Sequence, residues 1–479
     1  LLSSPVFCLI LCRFEYLNFK DIPFHGGNGM SRIFSAIAAI TILLGTLAGH
    51  NAEAAQAGPK SYVLFTNANV FDGQNEKLAT GMSVLVEGNK IAKIAKSISA
   101  PAGATLIDAR GRVLMPGLTD AHWHTMFNFW PISKVLSVNF GGLSIAAAKH
   151  SEEQLLRGFT SVRDVGGNVF GVKMAIDSGL VDGPRIYPSG PYIGQTSGHG
   201  DFRGPNDVPE NPGTPLDYSQ RIGHTLIADG VPEVIKRSRE ILRMGASQIK
   251  AMAGGGVSSL YDPLDVTEYT FEEAKAVVDV AKTWNTYVAI HANTDAAIRM
   301  WINAGALSVE HGFFIEEETA KLMAEKGVWW SMQPMDAEGE DAFVFENPIS
   351  TAKYEQCVAG LDKVVALAKK HNVKTAFGTD LLFDPTLAAK EGKFLAKLKK
   401  WYTPYEALKM ATHDNAQLFK LSGPRDPYPG KLGVVEEGAY ADLLLVDGNP
   451  LQNLDLVADP GKNFVVIMKD GKIYKNTVK

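Results

Sequence analysis

Glu272-Glu-Ala-Lys-Ala-Val-Val-Asp-Val-Ala-Lys-Thr-Trp284 leads into Tyr287-Val-Ala-Ile290, then Ser308-Val309, Glu317-Glu-Thr-Ala-Lys-Leu-Met-Ala-Glu325 and Val328-Trp-Trp-Ser331. The first and fourth of these segments carry apolar residues at helical spacing, while the others are short apolar runs of strand length. The same alternation extends outward from about Pro116 to Lys431, with Thr160-Ser-Val-Arg163, Gln248-Ile-Lys250 and Lys374-Thr-Ala-Phe377 as further strands. Strands and helices alternating over roughly 300 residues predict a parallel α/β sheet, of which a barrel is the closed form and a doubly wound sheet the open one. Gly254-Gly-Gly256 follows a strand but lacks the spacing and partner acid of a dinucleotide fingerprint, which disfavours a nicotinamide or flavin enzyme.

Both flanks of this region read differently. Tyr62-Val-Leu-Phe65, Met82-Ser-Val-Leu-Val-Glu87, Lys90-Ile-Ala-Lys-Ile94 and Thr105-Leu-Ile-Asp108 are strand-length runs, with turns at Asp72-Gly73 and Glu87-Gly88-Asn89. Leu443-Leu-Leu-Val446, Val465-Val-Ile-Met468 and Lys472-Ile-Tyr474 repeat the pattern at the other end. The expectation is one small β domain built from residues 58–115 and 432–479, enclosing an α/β domain over 116–431. The longest irregular stretch, Ile193 to Leu226, has the length at which loops in compact domains are often functional.

The chain has 479 residues, 46% hydrophobic and 21% charged, with a formal charge of −5. These are the proportions of an ordinary soluble globular protein, and no basic cluster offers a footprint for nucleic acid. Met30, Arg32, the apolar run Ile33–Leu47 and the Ala-x-Ala sites at Ala52–Ala54 and Ala55–Ala57 are read as a secretory signal peptide over 30–57, the alternative being an uncleaved membrane anchor. Its apolar run is shorter than the roughly 20 residues of a membrane span. Removal of the signal would leave a periplasmic or secreted protein with no stable membrane association. Residues 1–29 are read as an upstream or non-native segment. Without them Cys357 is the sole thiol, which excludes an internal disulfide and cysteine ligation of a metal.

The chemistry is concentrated at a few strand ends. His122 and His124 are two apart on a strand, so both imidazoles face one side, as a metal site requires. Lys250, His291, His311 and Asp380 each close a candidate strand, the face on which barrel enzymes carry their sites. Singly, such residues are solvated charges, satisfied histidines or helix caps; in this order they form a pattern.

Pro116-Gly-Leu-Thr-Asp-Ala-His-Trp-His124 resembles the strand-one motif of the amidohydrolase superfamily, and Lys250, His291, His311 and Asp380 match its remaining ligand positions in order. Gly433-Val-Val-Glu-Glu-Gly-Ala-Tyr-Ala-Asp442 resembles that superfamily's return into its β domain, so the resemblance spans roughly Ser61 to Tyr474. Ile249-Lys-Ala-Met-Ala-Gly-Gly-Gly256 and Gly198-His-Gly-Asp201 are most similar to the branch of Xaa-Pro dipeptidases, lysine/arginine carboxypeptidases and imidazolonepropionase-like proteins, which ochratoxin-degrading amidases resemble too. Ser197 stands where that branch often has glycine.

The resemblance implies a (β/α)8 TIM-like barrel with a small β-sandwich domain from both chain ends. It also implies two divalent metal ions, zinc being the natural choice for these ligands. His122, His124 and Asp380 would hold one ion and His291 and His311 the other, with Lys250, carboxylated to a carbamate, bridging them. Two ions ~3.5–4 Å apart would generate the nucleophile and polarise the scissile carbonyl. Asp380 would carry the proton to the departing amine. The implied substrates are dipeptides or N-acyl amino acids, in an enzyme that is commonly a homo-oligomer in this branch. The alternatives are hydrolysis of a cyclic amide, an ester or a lactone, and, last, a metal-binding protein without turnover.

Other residues carry lesser expectations. His199 is a candidate catalytic and substrate-binding residue, to the substrate carbonyl or carboxylate, or else a loop histidine held by its own turn. Tyr261 is a candidate substrate contact, with Asp201 and Arg203 weaker ones. Arg163-Asp164 is read as a buried ion pair or turn, and Trp123, Phe127, Phe129 and Trp130 as core or pocket wall. Met332-Gln-Pro334 is read as shaping a loop, and His413 as structural.

Overall fold

The computed structural model describes residues 61–207, 213–345 and 347–478. The expected signal peptide and the segment before it lie outside the described residues. The first β segment comprises β1 (Tyr62–Val70), β2 (Ala79–Glu87), β3 (Lys90–Ala95), β4 (Thr105–Asp108) and β5 (Val113–Pro116). Next come β6 (Leu118–Trp123), β7 (Phe159–Asp164), β8 (Arg185–Pro188), β9 (Tyr192–Gly194), β10 (Thr225–Ile227) and β11 (Ile249–Met252). These are followed by β12 (Val288–Thr294), β13 (Ser308–Phe314), β14 (Trp329–Met332) and β15 (Lys374–Phe377), and the chain closes with β16 (Leu443–Val446), β17 (Phe464–Lys469) and β18 (Lys472–Asn476).

The two chain ends share one eight-stranded sheet in the order β18-β17-β16-β5-β1-β2-β3, with β4 paired to β1. The join is the antiparallel pair β16–β5, where Leu443 faces Pro116 and Val446 faces Val113. Val63, Phe65, Val84, Leu443, Leu445 and Val466 pack together in the core of this sheet. No strand candidate in the first segment proves misplaced.

Between the ends the fold is of the TIM-barrel α/β type. Parallel β6-β7-β8 form one hydrogen-bonded group and β10-β9-β11-β12-β13-β14-β15 another. Two seams join them: Ser247 N donates to Pro188 O at 2.7 Å, and Asp380 N donates to His122 O at 2.8 Å. In β12 and β13 six of seven residues are buried, polar ones included, because both faces are covered, as parallel strands inside a helical layer require. The helix Phe271–Thr283 shows why its sequence is helical. Thr270 and Glu273 close a capping box at its start, and Ala274, Val277, Val278 and Ala281 recur on its buried face. Asp295–Ala304 and Glu317–Lys326 stop at Gly305 and Gly327, which adopt φ of 115° and 66°.

Two expectations about position need correction. Lys250 does not close its strand, since β11 runs on to Met252, and His291 and His311 lie inside β12 and β13. Parallel pairing of the two strands continues past the histidines, with His291 opposite Glu310 and Ala292 opposite His311. The long Ile193–Leu226 stretch overlaps β9 and β10 at its two ends, and among the described residues between them its one helix is Tyr218–Arg221. Among the described residues, no helix is long and apolar enough to cross a membrane.

Candidate active site

The six expected donor residues converge on one cavity of about 560 Å³, which His122, His124, Lys250, His291, His311 and Asp380 all line. They arrive from β6, β11, β12, β13 and the turn after β15. Ring centroids are 5.3 Å apart for His122 and His124, 4.8 Å for His122 and His311, and 4.3 Å for His291 and His311. Asp380 Oδ1 lies 3.3 Å from His122 Nε2 and 3.2 Å from His124 Nε2. His122, His311 and Asp380 form a donor trio whose ligand atoms all fall within 4.8 Å of one another. His311 therefore approaches both halves of the implied ligand set rather than only one.

Each imidazole is held from behind by one nitrogen. His122 Nδ1 meets Glu310 Oε2 at 2.9 Å, His124 Nδ1 meets Gly166 O at 3.3 Å, His291 Nε2 meets Gly255 O at 3.3 Å, and His311 Nδ1 meets Gln333 Oε1 at 2.9 Å. A proton on the nitrogen facing each acceptor leaves the other nitrogen's lone pair for a ligand, the arrangement by which outer groups orient metal-binding histidines. Burial holds the His124, His291 and His311 rings below the ordinary imidazole value, so they remain neutral donors. Burial also pushes the Lys250 amine down to about 8, with Glu310 and Asp380 opposing the shift. For Asp380 burial acts upward but is outweighed by His122, His124 and His311, leaving its carboxyl well below the usual range. This donor set fits divalent cations: neutral imidazoles, an ionised carboxylate and a lysine whose amine is readily freed.

The backbone is strained at the same place. His311 and Asp380 have φ of 74° and 54°, in the left-handed region that non-glycine residues seldom occupy. Asp120, at the start of the His-x-His segment, holds the turn beside Asp380. Its Oδ2 accepts from Thr379 Oγ1 at 2.6 Å and its Oδ1 from His122 N at 2.8 Å.

Beneath the cluster lies the buried ion pair expected at Arg163, with a partner from another strand. Arg163 does not pair with Asp164, which instead accepts from Thr125 N. Its guanidinium crosses the barrel to Glu310, with Nη2 at 2.7 Å from both carboxylate oxygens, and also reaches Ser308 and Tyr287. Opposite charges on two buried strands were the one sequence signal for this pair. Gln333 has a larger part than the loop role expected for it, since it orients His311; nothing in its local pattern marked that.

His199 and Tyr261 both line the cavity, Tyr261 about half exposed. His199 is buried and stacks on His291 with centroids 4.1 Å apart. Its Nδ1 lies 2.9 Å from Asp262 Oδ2 and 2.5 Å from Ser259 Oγ. The ring is therefore held by the turn after β11 and not by its own loop. A Cβ at Gly256 would come within 2.2 Å of the ring, so glycine is required there. Ser197 adopts φ 61°, which accounts for the glycine common at this position in the branch. Asp201 lines the cavity and pairs with Arg203 at 2.6 Å. Of the four aromatics after His122, only Phe127 reaches the cavity; Trp123 and Phe129 are core, with Trp130 packed against them. Tyr192, Phe202, Phe313, Phe343, Phe345, Tyr354 and Phe383 add further aromatic wall. His413 pairs with Asp414, away from the cluster.

Glu268 was not singled out by the sequence. It is fully buried, its Oε1 accepts from His199 N at 2.6 Å, and its Oε2 has no hydrogen-bond partner among the described residues. Burial, reinforced by the charge of Asp262 and opposed by the His199 amide, pushes its carboxyl up to about 8. Between pH 4.5 and 8 the folded chain thus keeps a proton that the unfolded chain releases, so this group costs stability increasingly as pH rises. Glu268→Gln is expected to melt near the parent at pH 5 and a few degrees above it at pH 9. A melting difference that does not change with pH would show that Glu268 titrates normally.

Comparison with known proteins agrees with this geometry. The amidohydrolase family profile matches residues 113–477. An ochratoxinase from Aspergillus niger is 35% identical over 378 residues, covering 76% of each chain. The structure of a prolidase complexed with N-methylphosphonate-L-proline aligns with a TM-score of 0.80 at 33% identity, over 87% of this chain and 100% of that one. A Xaa-Pro dipeptidase with methionine bound in its active site aligns with a TM-score of 0.75 at 29% identity, over 87% and 100%. A profile match over most of the chain, together with relatives at this identity and coverage, establishes that the chain belongs to the amidohydrolase family and is a hydrolase acting on carbon–nitrogen bonds.

Proposed function

We propose that this protein is an exported, binuclear metal-dependent amidohydrolase that cleaves the amide bond of dipeptides or N-acyl amino acids. The observation that carries the reading is the set of four imidazoles, each pinned through one nitrogen, around Lys250 and Asp380. The names of the similar proteins, a prolidase, an Xaa-Pro dipeptidase and an ochratoxinase, support an amide in a small acyl amino acid. Export rests on the leader-like pattern of residues 30–57, and the two-ended sheet is read as the β-sandwich domain of the family.

His122, His124 and Asp380 would hold one divalent ion, His291 and His311 a second, and Lys250 as its carbamate would lie between them. Bound there, the ions would act as Lewis acids on the carbonyl and lower the pKa of water. The chain's own residues do the rest. The low pKa of the Lys250 amine leaves a neutral fraction able to add carbon dioxide, which turns a repelling ammonium into an oxygen donor. Asp380 takes the proton of the attacking water and delivers it to the leaving nitrogen, which must depart as an amine. His199, its Nδ1 turned to Asp262, presents Nε2 to the substrate carbonyl or carboxylate, and Tyr261 offers a second contact through its hydroxyl.

The test is an amine-release screen of dipeptides and N-acyl amino acids with protein reconstituted in zinc and bicarbonate. Release from Xaa-Pro, Xaa-Lys/Arg or acylated hydrophobic amino acids establishes the class. A protein that holds two metals and releases nothing from them turns the reading toward cyclic amides or esters. Lys250→Ala is expected to lose activity and bound metal, with partial return on adding short carboxylic acids. A fully metallated, active Lys250→Ala protein would sink the carbamate bridge.

A further inference from the structure

We infer that Lys353 is a positioning residue that sets the His199 imidazole through a polar brace between the helix Pro348–His371 and the turn after β11. Lys353 lies in the first turns of the helix Pro348–His371 and is 6% exposed. It is not among the residues lining the cavity. Its ammonium donates to Gly256 O at 2.9 Å, Ser259 O at 2.8 Å and Asp262 O at 2.8 Å. Those three bonds use all three protons that an ammonium can offer. Asp262 Oδ1, 3.9 Å away, supplies the nearby negative charge.

All three acceptors belong to the turn after β11, and each of the three residues bears on His199. Asp262 Oδ2 receives His199 Nδ1 at 2.9 Å and Gly256 N at 2.8 Å. Ser259 Oγ meets the same Nδ1 at 2.5 Å. Gly256 lies flat against the ring, where any Cβ would clash. Lysine here is thus the hub of the seat in which the imidazole rests. The ammonium draws together three backbone oxygens that repel one another, and so reinforces the turn's own tie from Gly256 N to Asp262 Oδ2. The helix that carries Lys353 also brings Ser350 and Tyr354 to the cavity, so the brace joins the helix after β14 to the turn after β11.

The inference rests on the proposed contact of His199 with substrate, and the experiment separates the two. Zinc-loaded enzyme is assayed with glycyl-L-proline and N-acetyl-L-phenylalanine as parent, Lys353→Met, Lys353→Arg, His199→Asn and the Lys353→Met/His199→Asn double variant. Lys353→Met is expected to lower kcat/KM on the order of 10–100-fold, the usual effect of removing an outer orienting group. Metal content should be unchanged, and Lys353→Arg should recover part of the loss. In the His199→Asn background the same substitution should cost less than about twofold, since residues acting through one another are not additive. Fully additive losses would overturn the inference, while an unaffected His199→Asn enzyme would remove the substrate contact on which it rests.

The side-chain nitrogen spectrum of the histidines decides the matter without turnover, and does so where neither probe is cleaved. Parent and Lys353→Arg should show His199 as one tautomer protonated on Nδ1, and Lys353→Met a mixture. An unchanged His199 signal in Lys353→Met overturns the proposal whatever the kinetics. Lys353→Gln, which keeps a donor, replaces Lys353→Met in both measurements if the latter does not fold.

Discussion

Asp380→Asn is expected to lower kcat by about 10³–10⁴-fold, the upper part of the range for loss of a proton-transferring side chain, in a protein that folds and keeps most of its metal. Asparagine has nearly the shape of aspartate, so the turn after β15 should survive. The Asp380 amide still donates to His122 O, and Thr379 is still tied to Asp120. What asparagine lacks is a basic oxygen. In the parent, Asp380 Oδ1 lies 3.2 and 3.3 Å from two imidazole nitrogens, and its carboxyl stays ionised far below the ordinary range. The amide can neither accept the proton of the attacking water nor return it to the leaving amine. Steady-state rates on any amide that the parent cleaves, alongside metal analysis of the same sample, check the prediction. Near-normal turnover would exclude Asp380 from the chemistry, and loss of metal would make it a ligand only.

Glu310→Gln should be the most destabilising conservative change in the barrel, costing about 3–5 kcal/mol, as breaking one side of a buried ion pair does. Arg163 and Glu310 are both fully buried, and the variant would leave a guanidinium with no counter-charge. Replacing both partners by apolar residues of similar size should cost much less, because no charge is then stranded. For Glu310, burial alone would raise the carboxyl, but Arg163 and His122 outweigh it and hold it far below the ordinary 4.5. A depressed carboxyl of this kind stabilises the fold above the unfolded value and loses that contribution as pH falls through the folded one. The stability gap between parent and variant should therefore be full at neutral pH and narrow as the pH drops below about 4.5. Denaturant midpoints at pH 7 and pH 4 measure both statements. A variant as stable as the parent at pH 7 would show that Arg163 finds another partner.

The same pair bears on the site, since Glu310 Oε2 also holds His122 Nδ1 at 2.9 Å. One carboxylate thus neutralises a buried cation and fixes the direction of the His122 ring in the donor cluster, so stability and site geometry are coupled at this residue.

Much of this was legible before any coordinates. His122 and His124 declare themselves by a spacing of two on a strand, and Lys250, His291, His311 and Asp380 by their place near the ends of apolar runs. The strands over 160–163, 287–290, 328–331 and 374–377 follow from run length, and the helix Phe271–Thr283 from apolar residues at helical spacing. These features are local: backbone sterics and the period of apolar residues operate over a few neighbours, and a single sequence carries them openly.

Only the tertiary structure decided what stands behind those residues. Gln333 orients His311 from 22 positions away and Glu310 orients His122 from 188, while Arg163 finds Glu310 rather than its neighbour Asp164. Lys353 reaches the Gly256–Asp262 turn from more than 90 positions along the chain, and Asp262 sets His199 across 63. Closing the barrel creates these contacts, and the choice of hydrogen-bond partner depends on side-chain direction in three dimensions, to which periodicity along the chain is blind. The residue types able to bind metal and move a proton are thus written in the sequence, whereas the partners that aim them come from the closed ring of strands.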